Sequence, residues 1–320
     1  MKKSNSNNNV SSILNVLGIT PQIIVISLLI ILFVGIIIGL FVKKQNVVSK
    51  RMTVVEEVVP YDRKQIFEQS MKSDNEVKQI KDSPFEKNSL IVEKVDKPVI
   101  AVIIDDMGVD MIRTQKILEL DYPLTVSYLT YAPNLQSQIN HAKEANNEIL
   151  LHVPMQALND NYDYGGEYLS TNNSKNRNLE ILKSQLDKAT GYIGINNHMG
   201  SKFTSDESQL SMVVEELDRR GLSFVDSLTA SQSKGDIVAK KTKIPYATRD
   251  VFLDDSNKLE DIKKSLKYLE NIAKKRGFAV AIGHPRTNTI KVLKAWLPTL
   301  QKKGIELVPI SYIIKNYPKF

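Results

Sequence analysis

Cysteine is absent from the 320-residue chain, so neither a disulfide nor a thiolate metal site can form. Histidine is scarce: His141, His152, His198 and His284 are the only four. Any imidazole chemistry must draw on those positions. The net charge is +7, yet Lys and Arg are scattered and never gather into an arginine-rich tract. That pattern gives no indication of a nucleic-acid partner, and leaves room only for a basic patch toward an anionic polymer or membrane surface. No internal repeat stands out. With 42% apolar and 25% charged residues, the chain has the balance of an ordinary globular protein, in one large domain or two small ones.

One feature departs from that balance. Ile23–Val42 is a run of 20 residues without a charge, preceded by a polar stretch rich in Asn and Ser. At about 1.5 Å per residue the run spans about 30 Å, the thickness of a bilayer core. It is longer than the apolar part of a cleaved signal peptide, and no small-residue cleavage site follows it. Residues 1–22 are therefore expected to form a disordered tail, residues 23–42 a transmembrane anchor in a lipid bilayer, and the charged residues 43–96 a stalk. Lys43, Lys44, Lys50 and Arg51 follow the run while Lys2 and Lys3 precede it, so a count of flanking charges slightly favours a cytoplasmic C-terminal side.

From residue 97 onward, short apolar runs alternate with helical patterns. Strands are expected at Val99–Ile104, Leu124–Leu129, Glu148–Val153, Tyr192–Asn196, Leu222–Asp226, Thr248–Leu253, Phe278–Ile282 and Ile305–Ile310, with helices between most of them. Among these helices is one near Thr289–Lys302. Seven or eight strands in about 220 residues, each followed by a helix, predict an α/β domain, residues 97–320, with a (β/α) barrel rather than an open sheet.

In such barrels chemistry sits at the C-terminal ends of the strands. Asp105 and Asp106 end the first strand, His152 the third, and Asn196, Asn197 and His198 the fourth. Asp226 ends the fifth, Arg249 and Asp250 lie at the edge of the next, and His284 follows the strand near Phe278–Ile282. His141 falls on a predicted helix and is read as a surface or packing residue. A carboxylate with two neutral imidazoles is a common ligand set for a divalent ion of the zinc type. One of the two aspartates, His152 and His198 could supply it. The other aspartate would then serve as a base, His284 as an acid, and Arg249 would hold a carboxylate in its ionised form. Metal-assisted hydrolysis of an amide or ester follows. Asn197, Asp226 and Asp250 are read as substrate-binding. So is Tyr164, which with Tyr162 and Tyr168 beside Gly165 and Gly166 could stack on a sugar. Asp105 with Asp250 or Asp226 would alternatively suit a glycosidase.

Ile104-Asp105-Asp106-Met107-Gly108 resembles the opening motif of polysaccharide deacetylases. Four further strings are similar to the divergent polysaccharide deacetylase family: Leu151–Met155, Asn196-Asn197-His198-Met199-Gly200-Ser201, Arg249–Asp254 and Ile282-Gly283-His284-Pro285. The resemblance covers about residues 97 to 315 and implies a distorted (β/α) barrel of the deacetylase type. It also implies that Asp105 is the base, Asp106 a metal ligand with His152, and His284 the acid. The ordinary family places a second histidine four residues after the first; here that position is Gln156, and His198 is the available substitute. The expected protein is a membrane-anchored, metal-dependent deacetylase acting on an acetylated polysaccharide or peptidoglycan-like glycan. Such a substrate puts the barrel outside the cytoplasm, against the slight bias of the charge count. The alternative, which leans on Gln156, is a non-catalytic envelope protein that keeps the barrel and binds glycan or a partner.

Overall fold

A computed structural model describes residues 82–159 and 162–320. The expected tail, the run Ile23–Val42 and residues 43–81 of the expected stalk lie outside the described residues. Among the described residues, no helix is long and apolar enough to cross a membrane.

The strands are β1 (Val99–Met107), β2 (Thr125–Leu129), β3 (Glu148–Met155), β4 (Gly194–Met199), β5 (Ser223–Asp226), β6 (Tyr246–Thr248), β7 (Val251–Phe252), β8 (Phe278–Gly283) and β9 (Glu306–Leu307). They form one sheet in the order β6-β5-β4-β3-β2-β1-β8-β7, with β9 added on β1. Every pairing is parallel. Parallel neighbours need crossovers, and helices supply most of them: α2 (Met111–Leu118), α3 (Leu135–Glu144), α4 (Lys175–Leu186), α5 (Glu207–Arg219), α6 (Gly235–Thr242), α7 (Leu259–Arg276) and α8 (Thr287–Trp296). Two short helices, α1 (Pro84–Asn88) and α9 (Ile310–Asn316), flank the barrel in sequence. Local chemistry starts several of these helices. Asp110, Ser174 and Asp206 each accept a hydrogen bond from a backbone N–H of the first turn that the helix itself leaves free.

The sheet is curled, and the core shows how. Alternate β1 residues Ile100, Val102 and Ile104 pack outward with the helices. Val99, Ala101 and Ile103 pack with Leu150 of β3, Val225 of β5, Ala247 of β6 and Val280 and Ile282 of β8. β3, β5 and β6 are not neighbours of β1 in the sheet, so their side chains meet those of β1 only across the inside of a barrel. The barrel is incomplete. Its edge strands β6 and β7 are consecutive in the chain, and the link Arg249-Asp250 ties the two edges together. Arg249 N donates to Asp226 O at 3.1 Å, and Asp250 N donates to Val280 O at 2.9 Å. The single strand expected at Thr248–Leu253 is thus two, because the chain must leave β5 on one edge and join β8 on the other.

Three further expectations are corrected. The stalk does not extend to residue 96 as a mere spacer: Phe85 of α1 is buried in the inner core with Ile310 and Ile313. Leu90 N and Val95 N donate to Glu148 and to the Tyr312 hydroxyl. Burying one phenylalanine contributes about 2 kcal/mol, enough to fasten this segment to the N-terminal ends of the strands. The last expected strand, Ile305–Ile310, shrinks to β9, since Pro309 ends the ladder and α9 begins behind it. The helix expected to run to Lys302 ends at Trp296; Pro298 lies in a 3-10 turn there.

Candidate metal centre and active site

In a regular strand, neighbouring side chains point to opposite faces, so Asp105 and Asp106 should not share a site. The backbone solves this at Asp106, which adopts the left-handed region with φ 57°. The register of β1 against β2 shifts between Ile104 and Met107. Aspartate tolerates this conformation better than most residues. Gly108 follows at φ 100°, where an added Cβ would lie 2.7 Å from the Ala132 Cβ and 2.9 Å from the Tyr128 ring. The kink swings both carboxylates to the mouth of the barrel. His152 Nε2 then lies 3.6 Å from Asp105 Oδ2 and 3.4 Å from Asp106 Oδ1.

Asp106 Oδ1 also lies 3.1 Å from His198 Nδ1, and the two imidazoles meet edge to face with centroids 4.9 Å apart. One donor atom from each of Asp106, His152 and His198 falls within 4.8 Å of the others. Asp106 Oδ1 is buried and takes part in no well-formed hydrogen bond. A buried carboxylate oxygen without a donor is costly, and a cation is the partner this set suits. Donors about 2.1 Å from a tetrahedral ion stand roughly 3.4 Å apart, close to the two spacings from Asp106 Oδ1 to the imidazoles. Burial works to raise the Asp106 carboxyl, but the imidazoles of His152 and His198 beside it hold it well below the usual carboxylate range.

The remaining polar atoms are tied down. His152 Nδ1 lies 2.8 Å from Asn196 Oδ1, and Asn196 Nδ2 donates to Asp105 Oδ1 at 2.7 Å. Burial pushes the Asp105 carboxyl up, against the pull of His152 and His284. Burial works to lower the His152 imidazole, but the two aspartates beside it prevail and raise it. Across the mouth, His284 Nε2 lies 3.8 Å from Asp106 Oδ2. Its Nδ1 is 2.9 Å from Asp254 Oδ1, and its backbone N–H donates to Asp254 Oδ2 at 2.9 Å. Asp254 is fully buried and also accepts from the Thr289 hydroxyl at 2.7 Å. Burial works to lower the His284 imidazole, yet Asp254 and the charge of Asp106 raise it.

Residues 102–314 match the model of the divergent polysaccharide deacetylases. The chain belongs to this family. It is 33% identical over 219 residues to an uncharacterized protein of Haemophilus influenzae, covering 68% of this chain and 77% of that one. It is 30% identical over 240 residues to the uncharacterized protein YibQ of Escherichia coli, covering 73% and 75%. A crystal structure of an uncharacterized protein of Agrobacterium tumefaciens is similar in fold, with a TM-score of 0.69 and 26% identity, covering 72% of this chain and 95% of that one.

In this member of the divergent polysaccharide deacetylase family, several residues expected at the site do other work. Gln156 is buried, and its Oε1 accepts from the Ser170 hydroxyl and from the N–H and hydroxyl of Thr171. It holds a loop, while His198, one strand over, faces Asp106. Arg249 grips no carboxylate: its Nε and Nη2 donate to the carbonyls of Ser227 and Leu228, both at 2.7 Å. Asn197 is buried facing away from the mouth, with Oδ1 accepting from Ser227 N and Nδ2 donating to Met199 O. The alternation that turns His198 inward also turns Asn196 inward and Asn197 outward, and strict period-two counting would have found it. Asp226 is saturated by Leu228 N and the Ser233 hydroxyl. Asp250 pairs with Arg276 and accepts from Val280 N, so both aspartates clamp loops. Tyr164 is buried, stacks on Tyr168 with centroids 3.9 Å apart, and accepts from Ala157 N. His141 is exposed on α3 beside Gln115, as expected of a surface residue.

The mouth opens into a cleft of about 390 Å³ lined by Asp106, His198 and His284 together with Tyr131, Asp163 and Arg286. Nothing in the sequence signalled Tyr131. The loop glycine Gly165, at φ 72°, lies so close that an added Cβ would come within 2.3 Å of the Tyr131 ring. Asp254 stood inside the Arg249–Asp254 string but carried no pattern that distinguished it from its neighbours.

Proposed function

We propose that the protein is a metal-dependent deacetylase that removes acetyl groups from a glycan outside the cytoplasm, held to the membrane by residues 23–42. The observation that carries this reading is the orphaned Asp106 Oδ1 facing His152 and His198, with a second carboxylate and a carboxylate-bound histidine at the same mouth. Asp106, His152 and His198 would hold a divalent ion, zinc being the best match to one oxygen and two nitrogen donors. Such an ion, when bound, polarises a carbonyl and makes water a stronger acid.

The protein's own groups supply the proton traffic. Asp105 keeps Oδ1 on Asn196, which leaves Oδ2 to accept a proton from the attacking water. His284, held at Nδ1 by Asp254, presents Nε2 to the mouth and donates a proton to the departing nitrogen or oxygen. Its raised affinity for the proton suits an acid. The products are acetate and a free amine or hydroxyl. Arg249, bound to two carbonyls, supports the Ser227–Leu228 turn rather than a carboxylate. The binding-only alternative drew on Gln156; the employment of that amide in a loop, with His198 beside Asp106, supports the enzymatic reading over it.

Acetate release from N- and O-acetylated glycans by the full-length protein in detergent tests the proposal. Chelation and the substitutions Asp105→Asn and His284→Ala should each abolish it. A folded, zinc-loaded wild type that liberates no acetate from any such glycan would sink it.

A further inference from the structure

Asn196 is wholly buried at the mouth, and all four hydrogen-bonding positions of its amide are used. Oδ1 faces the Ser127 hydroxyl at 2.5 Å and His152 Nδ1 at 2.8 Å. Nδ2 donates to Asp105 Oδ1 at 2.7 Å and to the Ser227 hydroxyl at 3.1 Å. Four strands thus meet on one side chain of β4: β1 through Asp105, β2 through Ser127, β3 through His152 and the end of β5 through Ser227. An amide can be turned over, exchanging its oxygen and nitrogen, and the network decides which way it sits. Serine hydroxyls accept either orientation because they donate and accept. The carboxylate of Asp105 does not: it only accepts, so Nδ2 must face it. Oδ1 is then forced toward His152, and an oxygen that only accepts requires a proton on Nδ1. The neutral imidazole is left with its lone pair on Nε2, the atom 3.4 Å from Asp106 Oδ1.

We propose that Asn196 is the positioning residue of this centre, its one amide fixing both the Nδ1–H tautomer of His152 and the aim of Asp105. The cation ligand and the base are then set by a single side chain, and neither can be reoriented without the other. The need for asparagine follows. Aspartate has the same shape but would put an acceptor against Asp105 Oδ1, with two like charges in contact. Alanine would orphan both His152 Nδ1 and Asp105 Oδ1. Glutamine is a methylene too long for a site with no exposed surface. This proposal rests on the functional reading only for the identity of the cation, since the tautomer is a property of the protein alone.

The test combines nitrogen NMR of the histidines with zinc titration of the full-length protein. In metal-free wild type at alkaline pH, where the imidazole is neutral, His152 should carry its proton on Nδ1. A proton on Nε2 there overturns the proposal, whatever any variant does. Orienting partners of this kind typically contribute about 10–100-fold to metal affinity. Asn196→Ala should weaken zinc by that factor and change the cobalt absorption spectrum, and Asn196→Asp should weaken zinc further. Ser127→Ala, which deletes another contact of the same oxygen but leaves the His152 bond, should bind zinc as wild type does. Equal weakening in Ser127→Ala and Asn196→Ala would mean that packing alone matters, and would overturn the proposal. Wild type that binds no zinc would refute the deacetylase reading, while the NMR result would still decide the role of Asn196.

Discussion

Two carboxylates with oxygens shut off from solvent lie at opposite ends of the same barrel and meet opposite fates. Glu148, the first residue of β3, accepts from Ser311 N at 3.0 Å and from Leu90 N and the Thr125 hydroxyl at 3.4 Å. Its donors come from the N-terminal segment, from β2 and from the start of α9, so it fastens three distant stretches of chain together. Asp106, near the end of β1, has an oxygen equally cut off from solvent but surrounded by imidazole nitrogens and without a hydrogen bond. Saturation by protein donors marks glue; an oxygen among potential ligands that no protein donor serves marks a site. Burial alone does not separate the two, because Glu148 and Asp105 are both buried and both carboxyls are pushed upward by it.

The sharpest way to break this contrast is Asp106→Asn. It should lower metal affinity by at least about 100-fold, more than orienting partners usually contribute. The unfolding midpoint of the metal-free protein should fall modestly at neutral pH, because the ionised carboxylate that the imidazoles of His152 and His198 stabilise is gone. Elemental analysis and thermal unfolding read the two effects. If the midpoint falls while metal content is unchanged, Asp106 is glue and not a ligand.

Glu148→Ala should act on stability alone: it should destabilise by about 3 kcal/mol in denaturant titration, through orphaned donors and a cavity, with metal content unchanged. Its titration adds a signature. Burial outweighs the donors and raises the Glu148 carboxyl in the folded state. Its stabilising effect is therefore complete below the carboxyl's unfolded pKa and lost as pH rises through the folded value. Glu148→Gln should flatten that loss, which stability measured against pH will detect.

Asp254→Asn sharpens the picture on the other side of the mouth. His284 keeps its proton above the ordinary histidine range because Asp254 and Asp106 outweigh burial. Activity that needs the protonated ring is present at lower pH and falls as pH rises through that raised value. The substitution should move this alkaline limb to lower pH; a limb that stays in place would remove His284 from the acid role.

The smallest effect is expected of Gln156→His, which restores the histidine spacing of the ordinary deacetylases. It should not tighten metal, since His198 already faces Asp106. It should destabilise by about 1 kcal/mol through the lost bonds to Ser170 and Thr171. Tighter zinc binding would put position 156 in the centre after all.

The barrel and the strand-end positions of Asp105, Asp106, His152, His198 and His284 were legible in the sequence. Strand periodicity and alternation with helices are local properties, and parallel barrels collect polar groups at one end. Which of those groups share a point was settled only in three dimensions. The left-handed turn at Asp106 folds two adjacent aspartates onto one face, and the curl of the sheet brings β1, β3 and β4 side chains together. Arg249, Asp226 and Asp250 have the residue types of a site, yet their backbone surroundings consume them. Local pattern records which face a side chain leaves by; curvature and a single kinked residue determine what it meets.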